Sequence, residues 1–456
     1  MRTTTRLYKE VGVDRDAMRK LVQWQQSPRR KPLVVQGIRQ CGKTWLLKEF
    51  GRTRFRSTAY VSFDENPEYE EFFAVKDVER IVENLSLVTG VPITGPDSLL
   101  ILDEIQNCPA ALNSLKYFHE NRPDLPVAAA GSLLGISLAG SGFPVGQVDF
   151  LKMYPLTFGE FLRANGADTL ADYAEQVSRL EPVPAAFLNP LDEQLKTYLV
   201  TGGMPEPIRA WAEERDLSLV ETALSQILRA YELDFAKHAK PTDFPKISLI
   251  WASLPSQLSR ENKKFLYQSV KPGARAREYE DALQWLIGAD LVTKVFRSTA
   301  PGLPISAYDD LGAFKIYLAD VGLLRRLARL TPSAVLEQDQ NLTEFRGAMT
   351  ENYVLQSLLP QLDGVPRYWS QSNPPYEVDF LVQHENRVLP VEVKSGKAVA
   401  SRSLTKFSTV FPGQTPLRVR FSAQNLRLDS DVLNIPLSLA HQGNRLISLA
   451  LAQLHQ

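Results

Sequence analysis

The segment "VVQGIRQCGKTWLLKEF", residues 34–50, constrains this chain more than any other. Gly37 and Gly42 bracket four residues, and Lys43-Thr44 follows directly. Before the loop, "PLVVQ" (32–36) is apolar and β-branched, as a buried parallel strand would be. After it, Trp45, Leu46 and Phe50 fall roughly on one face of a helix. Glycine allows backbone conformations that a side chain forbids. Successive N–H groups and the positive end of the new helix can then converge on a phosphate. Lys43 adds a point charge for the β- and γ-phosphates, and the Thr44 hydroxyl can ligate Mg²⁺. The expected ATP contacts are Gly37, Ile38, Arg39, Gln40, Cys41, Gly42, Lys43, Thr44 and Trp45. The alternative is a strand–turn–helix corner whose glycines match by coincidence.

A second element favours the phosphate loop (P-loop). "SLLILDEIQ" (98–106) is an apolar run ending in Asp103-Glu104. A carboxylate at the C-terminal end of a parallel strand lies where open α/β sheets bind ligands. Asp103 is expected to hold Mg²⁺ through water, with Thr44 beside it. Glu104 is expected to polarise the attacking water, which marks a hydrolase. "TAYVSFDE" (58–65), "LPVAAAGS" (125–132) and "QVDFLKMYPL" (147–156) supply further strands, and Ser132 could sense the γ-phosphate. Catalysis is therefore assigned to Glu104, Lys43, Asp103 and Ser132. Strand and helix alternating this way predict an α/β fold, a doubly wound parallel sheet of P-loop NTPase type.

The loop 37–44 together with "YVSFDE", "LLILDEIQ", "GSLLG" and "FLKMYPLTFGEFL" resembles prokaryotic AAA+/STAND-like ATPases with an AAA_14 core and a C-terminal domain of unknown function, DUF4143. The resemblance implies three parts: an ATPase domain at 1–180, a helical connector with a winged-helix-like lid at 181–330, and a DUF4143 domain at 331–456. It also implies ATP and Mg²⁺ as cofactors. Family members commonly carry Gly-Arg before "V-x-F", a plausible arginine finger; here Gln147 follows Gly146. Arg122, Lys152 and Arg163 are candidate substitutes.

In the middle region, "EPVPAAFLNP" (181–190) marks a boundary, and "GGMPE" (202–206) forces a turn. Three helical stretches and a strand pair between 246 and 320 predict the winged helix. Within 260–277, Arg260, Lys263, Lys264, Lys271, Arg275 and Arg277 stand against Glu261 alone, with Tyr267 among them. This run either grips DNA phosphates or is a solvated helix face.

The C-terminal part holds Asp379 on one expected strand and Glu392 and Lys394 on the next, with Glu351 on a helix before them. Residues two apart on a strand share a face, so Glu392 and Lys394 point together. Two carboxylates and a lysine at a sheet edge can hold Mg²⁺ and orient a water for phosphodiester attack. The order resembles the PD-(D/E)xK nuclease core, to which DUF4143 looks related. The alternative is an ion pair in which Asp379 and Glu392 neutralise Lys394.

Composition excludes some classes. With 52 basic and 52 acidic residues, a globally basic nucleic-acid coat is ruled out, though a local patch is not. Two cysteines make neither a disulfide framework nor a zinc cluster and fit a reducing cytoplasm. No apolar run is long enough to span a membrane, and the first twenty residues do not read as a signal peptide. The expected partners are ATP, double-stranded DNA, and either further copies of the chain or another protein.

Overall fold

The computed structural model describes residues 15–137, 146–260, 263–337, 343–396 and 401–454. The chain divides into two compact units, 14–155 with 288–291, and 156–287 with 292–456. The N-terminal twenty-residue stretch read above lies largely outside the described residues, as does Glu261.

The first unit is built on five strands: β1 (Leu33–Gln36), β2 (Ser57–Ser62), β3 (Ser98–Asp103), β4 (Val127–Ala130) and β5 (Asp149–Lys152). Their order is β2-β3-β4-β1-β5, and all neighbours run parallel. Helices α1 (Asp16–Gln26), α2 (Lys43–Arg54), α3 (Val78–Thr89) and α4 (Pro109–Asn121) accompany the sheet. Every residue of β3 is buried, because helices cover both faces of a parallel sheet. Leu100 and Leu102 pack into a core with Val34, Val61, Ile81, Leu115 and Phe118. This is the doubly wound P-loop architecture, in which β1 and β3 lie on either side of β4 and deliver their C-terminal ends to one edge.

The second unit carries β6 (Val292–Ser298), β7 (Asp309–Leu318), β8 (Arg367–Ser372), β9 (Pro375–His384), β10 (Arg387–Val393), β11 (Arg418–Ser422), β12 (Arg427–Asp429) and β13 (Val432–Pro436). They form one mixed sheet ordered β12-β13-β11-β10-β9-β8-β6-β7. The helices Phe244–Leu258, Tyr267–Val270 and Ala276–Gly288 precede the β6–β7 hairpin. The hairpin is not an isolated wing, however. β6 runs parallel to β8, so the strand pair continues the sheet that bears Asp379.

The "GGMPE" turn has a structural explanation. Gly202 caps the helix Ala185–Thr201 with φ of 70°, and a Cβ there would lie 2.1 Å from Asp320 Oδ1. Asp320 is fully buried. It accepts hydrogen bonds from the backbone N–H of Gly203 and Leu323 and from Gln356 Nε2. Gln356 Nε2 also reaches the Tyr198 hydroxyl, which donates to the Leu156 carbonyl. Burial pushes the Asp320 carboxyl up from its ordinary range, while the donors around it pull the other way. Burial of the carboxylate demands donors, and the glycine backbone supplies one where a side chain would not fit.

His441 presents a titratable group with no such compensation. It packs edge-on against Phe158, and neither ring nitrogen has a hydrogen-bond partner. Burial, then the nearby Arg445 and Arg163 guanidinium groups, lowers its pKa from 6.5 to about 3. The folded value lies below the unfolded one, so the unfolded chain takes up the proton first as pH falls. The stability contributed by the neutral imidazole is full above about pH 6.5 and is lost toward pH 3, at about 1.4 kcal/mol per pH unit. Replacing His441 by leucine sacrifices no hydrogen bond and removes the titration. Urea unfolding at pH 7 and pH 5 should show the wild type losing about 2 kcal/mol more than His441→Leu between the two. Equal losses would show that His441 is not neutral in the fold.

Candidate functional site

The loop 37–42 joins β1 to α2 in the first unit. Gly37 has φ of 147°, and a Cβ there would lie 2.3 Å from the Met153 carbonyl oxygen. Only glycine fits so close to the neighbouring backbone. Gln40 and Gly42 also have positive φ, 66° and 93°. Ile38 and Cys41 are buried, which ties the loop to the core, while Gln40 is exposed and Arg39 and Trp45 are half-buried. Lys43 is buried, and its ammonium donates to the carbonyls of Gly37 (2.8 Å) and Ile38 (2.9 Å). The ammonium thus curls over the mouth of its own loop.

At the end of β3, Asp103 is buried and faces the start of α2. Its Oδ2 accepts from the Thr44 hydroxyl at 2.7 Å and from the Tyr60 hydroxyl at 3.0 Å. Burial, then the Asp103 charge, raises the Tyr60 pKa, so the phenol remains a donor. Thr44 and Asp103, far apart in sequence, thus share one hydrogen bond. A hydroxyl and a carboxylate at this separation are oxygen ligands of the kind Mg²⁺ takes, and the donor set fits that ion.

Glu104 sits in the left-handed region, φ 50° and ψ 44°, an uncommon conformation for glutamate that turns it away from the strand direction. Its Oε2 accepts from Gln106 Nε2 at 2.6 Å and from the Ser132 hydroxyl at 3.3 Å. Ser132 follows β4, so β3 and β4 together hold the carboxylate. Gln106 Oε1 is buried without a hydrogen-bond partner. Sequence reasoning missed Gln106 and Tyr60, which hold Glu104 and Asp103 respectively. It also missed Arg15, just before α1, whose guanidinium donates to the carbonyls of Cys41 and Tyr154, both at 2.8 Å. Arg15 pins the loop to the segment after β5, and no local pattern announces it.

The candidate arginine-finger substitutes are all engaged. Arg122 pairs with Glu79 and Asp124, Lys152 with Asp290, and Arg163 with Asp172 and Glu175.

In the second unit, β9 and β10 form the expected antiparallel hairpin. Asp379 Oδ2 accepts from the Val393 N–H at 2.7 Å, and Lys394 Nζ meets Glu392 Oε1 at 2.8 Å. Asp379, Glu392 and Glu351 are all buried. Burial, then the neighbouring Glu351 charge, raises the Asp379 pKa to about 8. Sequence reasoning did not foresee two further lysines here. Lys263 pairs with Glu351, which also accepts from the Tyr317 hydroxyl. Lys315, fully buried on β7, pairs with Glu377 and feels Glu351 and Asp379. Among the described residues, no three His, Cys, Asp or Glu side chains are grouped as a metal site. Lysine ammonium groups neutralise this cluster. Lys263 was grouped with the basic run; Arg260, Lys271, Arg275 and Arg277 of that run are exposed.

Comparison with known proteins places these units. Residues 29–162 match the AAA domain family AAA_14, residues 192–334 match a domain of unknown function (DUF8612), and residues 346–439 match another, DUF4143. Uncharacterised proteins of Mycobacterium bovis and Mycobacterium tuberculosis are each 23% identical over 405 residues, covering 84% of this chain and 77% of the relative. Among solved structures, a Walker-type ATPase of Pyrococcus abyssi is similar with a TM-score of 0.43 and 14% identity, covering 69% of this chain and 96% of the other. The Aeropyrum pernix ORC1 protein, solved in complex with DNA, is similar with a TM-score of 0.30 and 16% identity over 71% of this chain and 95% of the other. The P-loop geometry at residues 37–44 and the matched families agree: this chain carries an AAA_14-type P-loop ATPase domain and, C-terminal to it, a DUF4143 domain.

Proposed function

We propose that the first unit hydrolyses ATP with Mg²⁺. The observation that carries this reading is the pairing of Thr44 with Asp103 beside a Glu104 held by Gln106 and Ser132. The loop amides and Lys43 bind the β- and γ-phosphates. Thr44 and Asp103 hold Mg²⁺, which supplies charge neutralisation for the phosphates when bound. Glu104 accepts the proton of the attacking water, and Ser132 keeps its carboxylate aimed.

The same reading makes nucleotide state the control of the C-terminal module. If that module cleaves DNA, Glu351, Asp379, Glu392 and Lys394 form its site. The lysines on Glu351 and Glu377 favour a second reading, in which the module is a degenerate, non-cleaving one that acts through a bound partner. The free, buried cysteines Cys41 and Cys108 suit work in the cytoplasm. No helix among the described residues is long and apolar enough to cross a membrane.

One preparation tests both parts. Phosphate release from ATP should fall to background when Mg²⁺ is chelated; persistence would overturn the ATPase mechanism. Supercoiled DNA incubated with the same protein, ATP and Mg²⁺ should stay intact. Nicking that Asp379→Ala and Lys394→Ala abolish would establish the cleaving reading instead.

A further inference from the structure

The side chains around Glu104 are gathered on one of its two oxygens. The single helical turn Ile105–Asn107 follows directly after Glu104 and gives them a fixed base. Ile105 is fully buried in the core. The N–H groups of Asn107 and Cys108 close the turn on the carbonyls of Glu104 and Ile105, both at 3.0 Å. The Glu104 N–H donates to Asp103 Oδ1, also at 3.0 Å. From this turn the Gln106 side chain reaches back over Glu104. Gln106 Nε2 donates to Glu104 Oε2 at 2.6 Å, and the Ser132 hydroxyl donates to the same oxygen at 3.3 Å. Glu104 Oε1 accepts from none of the described residues.

Gln106 is seated there against its own packing interest. Its Oε1 is buried and has no donor. An acceptor taken out of water without a partner is destabilising. Turning the amide over gives no relief, because Gln106 Oε1 would then face the Glu104 carboxylate, acceptor against acceptor. Gly131, directly after β4, leaves the room that this oxygen occupies. A Cβ at Gly131 would lie 2.3 Å from Gln106 Oε1 and 2.8 Å from Leu134 Cγ. A glycine beyond one strand thus admits the amide that the turn beyond the neighbouring strand directs at Glu104. An apolar side chain at 106 would fill the same space with no stranded acceptor. What glutamine adds is the donor on Glu104.

We propose that Gln106 is a positioning residue for ATP hydrolysis: by holding Glu104 through Oε2, it presents Oε1 to the attacking water. The proposal rests on the reading of Glu104 as the general base. A base that must meet one hydrogen of one water needs a fixed direction as well as a free oxygen. A misplacement of about 1 Å can cost roughly 100-fold in rate. Of the two donors on Oε2, Gln106 makes the shorter contact. It acts on the carboxylate alone, so its removal should disturb the chemical step and leave nucleotide affinity as it is.

Phosphate release by the full chain, read in steady state and in single turnover, tests this alongside urea unfolding of the same preparations. Gln106→Met keeps the side chain's length and removes both the donor and the stranded acceptor. It should lower kcat by about 10–100-fold with KM for ATP unchanged. Its urea midpoint should stay at or above that of the wild type, which a structural role for Gln106 would not give. In a Glu104→Gln chain, adding Gln106→Met should slow single turnover no further, because Gln106 acts through Glu104. A stable Gln106→Met with wild-type kcat would overturn the proposal. So would an equal fall in rate on both backgrounds, or a fall accompanied by a lower urea midpoint. A wild type that releases no phosphate would overturn the ATPase reading itself, a result distinct from all of these.

Discussion

Lys43→Met is expected to weaken ATP binding by about 10–100-fold and to remove turnover, because a charge-assisted contact to phosphate contributes roughly 1.5–3 kcal/mol. The ammonium already sits at the loop mouth, on the carbonyls of Gly37 and Ile38, and is expected to exchange them for phosphate oxygens when ATP binds. Glu104→Gln separates binding from chemistry. The amide retains an acceptor for Gln106 and Ser132, so the local geometry survives. It cannot take a proton, and loss of a general base reduces rates by about 10²–10⁴-fold. Equilibrium binding of a fluorescent ATP analogue and steady-state phosphate release should therefore part company. Lys43→Met loses both, whereas Glu104→Gln retains affinity and loses turnover. Full binding and turnover in Lys43→Met would show that the loop is merely a glycine-rich corner.

Asp320→Ala is expected to destabilise the second unit by about 3–5 kcal/mol, since it strands several buried donors at once. The N–H groups of Gly203 and Leu323 and the Gln356 amide all lose their acceptor where water does not reach. Asp320→Asn leaves one oxygen and should cost less, about 1–2 kcal/mol. Urea unfolding followed by tryptophan fluorescence reads this, since Trp251, Trp285 and Trp369 all belong to that unit. Equal, small effects of both substitutions would show that the "GGMPE" turn does not depend on Asp320.

The phosphate loop was legible because its chemistry is local. Gly37, Gly42, Lys43 and Thr44 lie within eight residues, and the β-branched strand and amphipathic helix flanking them are read from spacing alone. Asp103-Glu104 was legible for a related reason: a fully apolar run ending in acid marks a buried strand with its charged end at the sheet edge. The nuclease-like order of Glu351, Asp379, Glu392 and Lys394 was equally visible. What surrounds it was not. Lys263 and Lys315 stand 88 and 36 residues from Glu351, the former inside a run that reads as a basic face.

The sequence by itself determined that a strand, a glycine loop and a helix would follow one another with Lys43 at the loop, because those conformations depend on neighbours along the chain. Only the tertiary structure decided that Arg15 would clamp the loop, that Gln106 and Ser132 would hold Glu104, and that lysines would neutralise the C-terminal carboxylates. Buried charge and buried polar groups require partners, but many residues of the right chemistry are available. Strand order and helix packing select among them, and the pattern of the chain near any one of them does not.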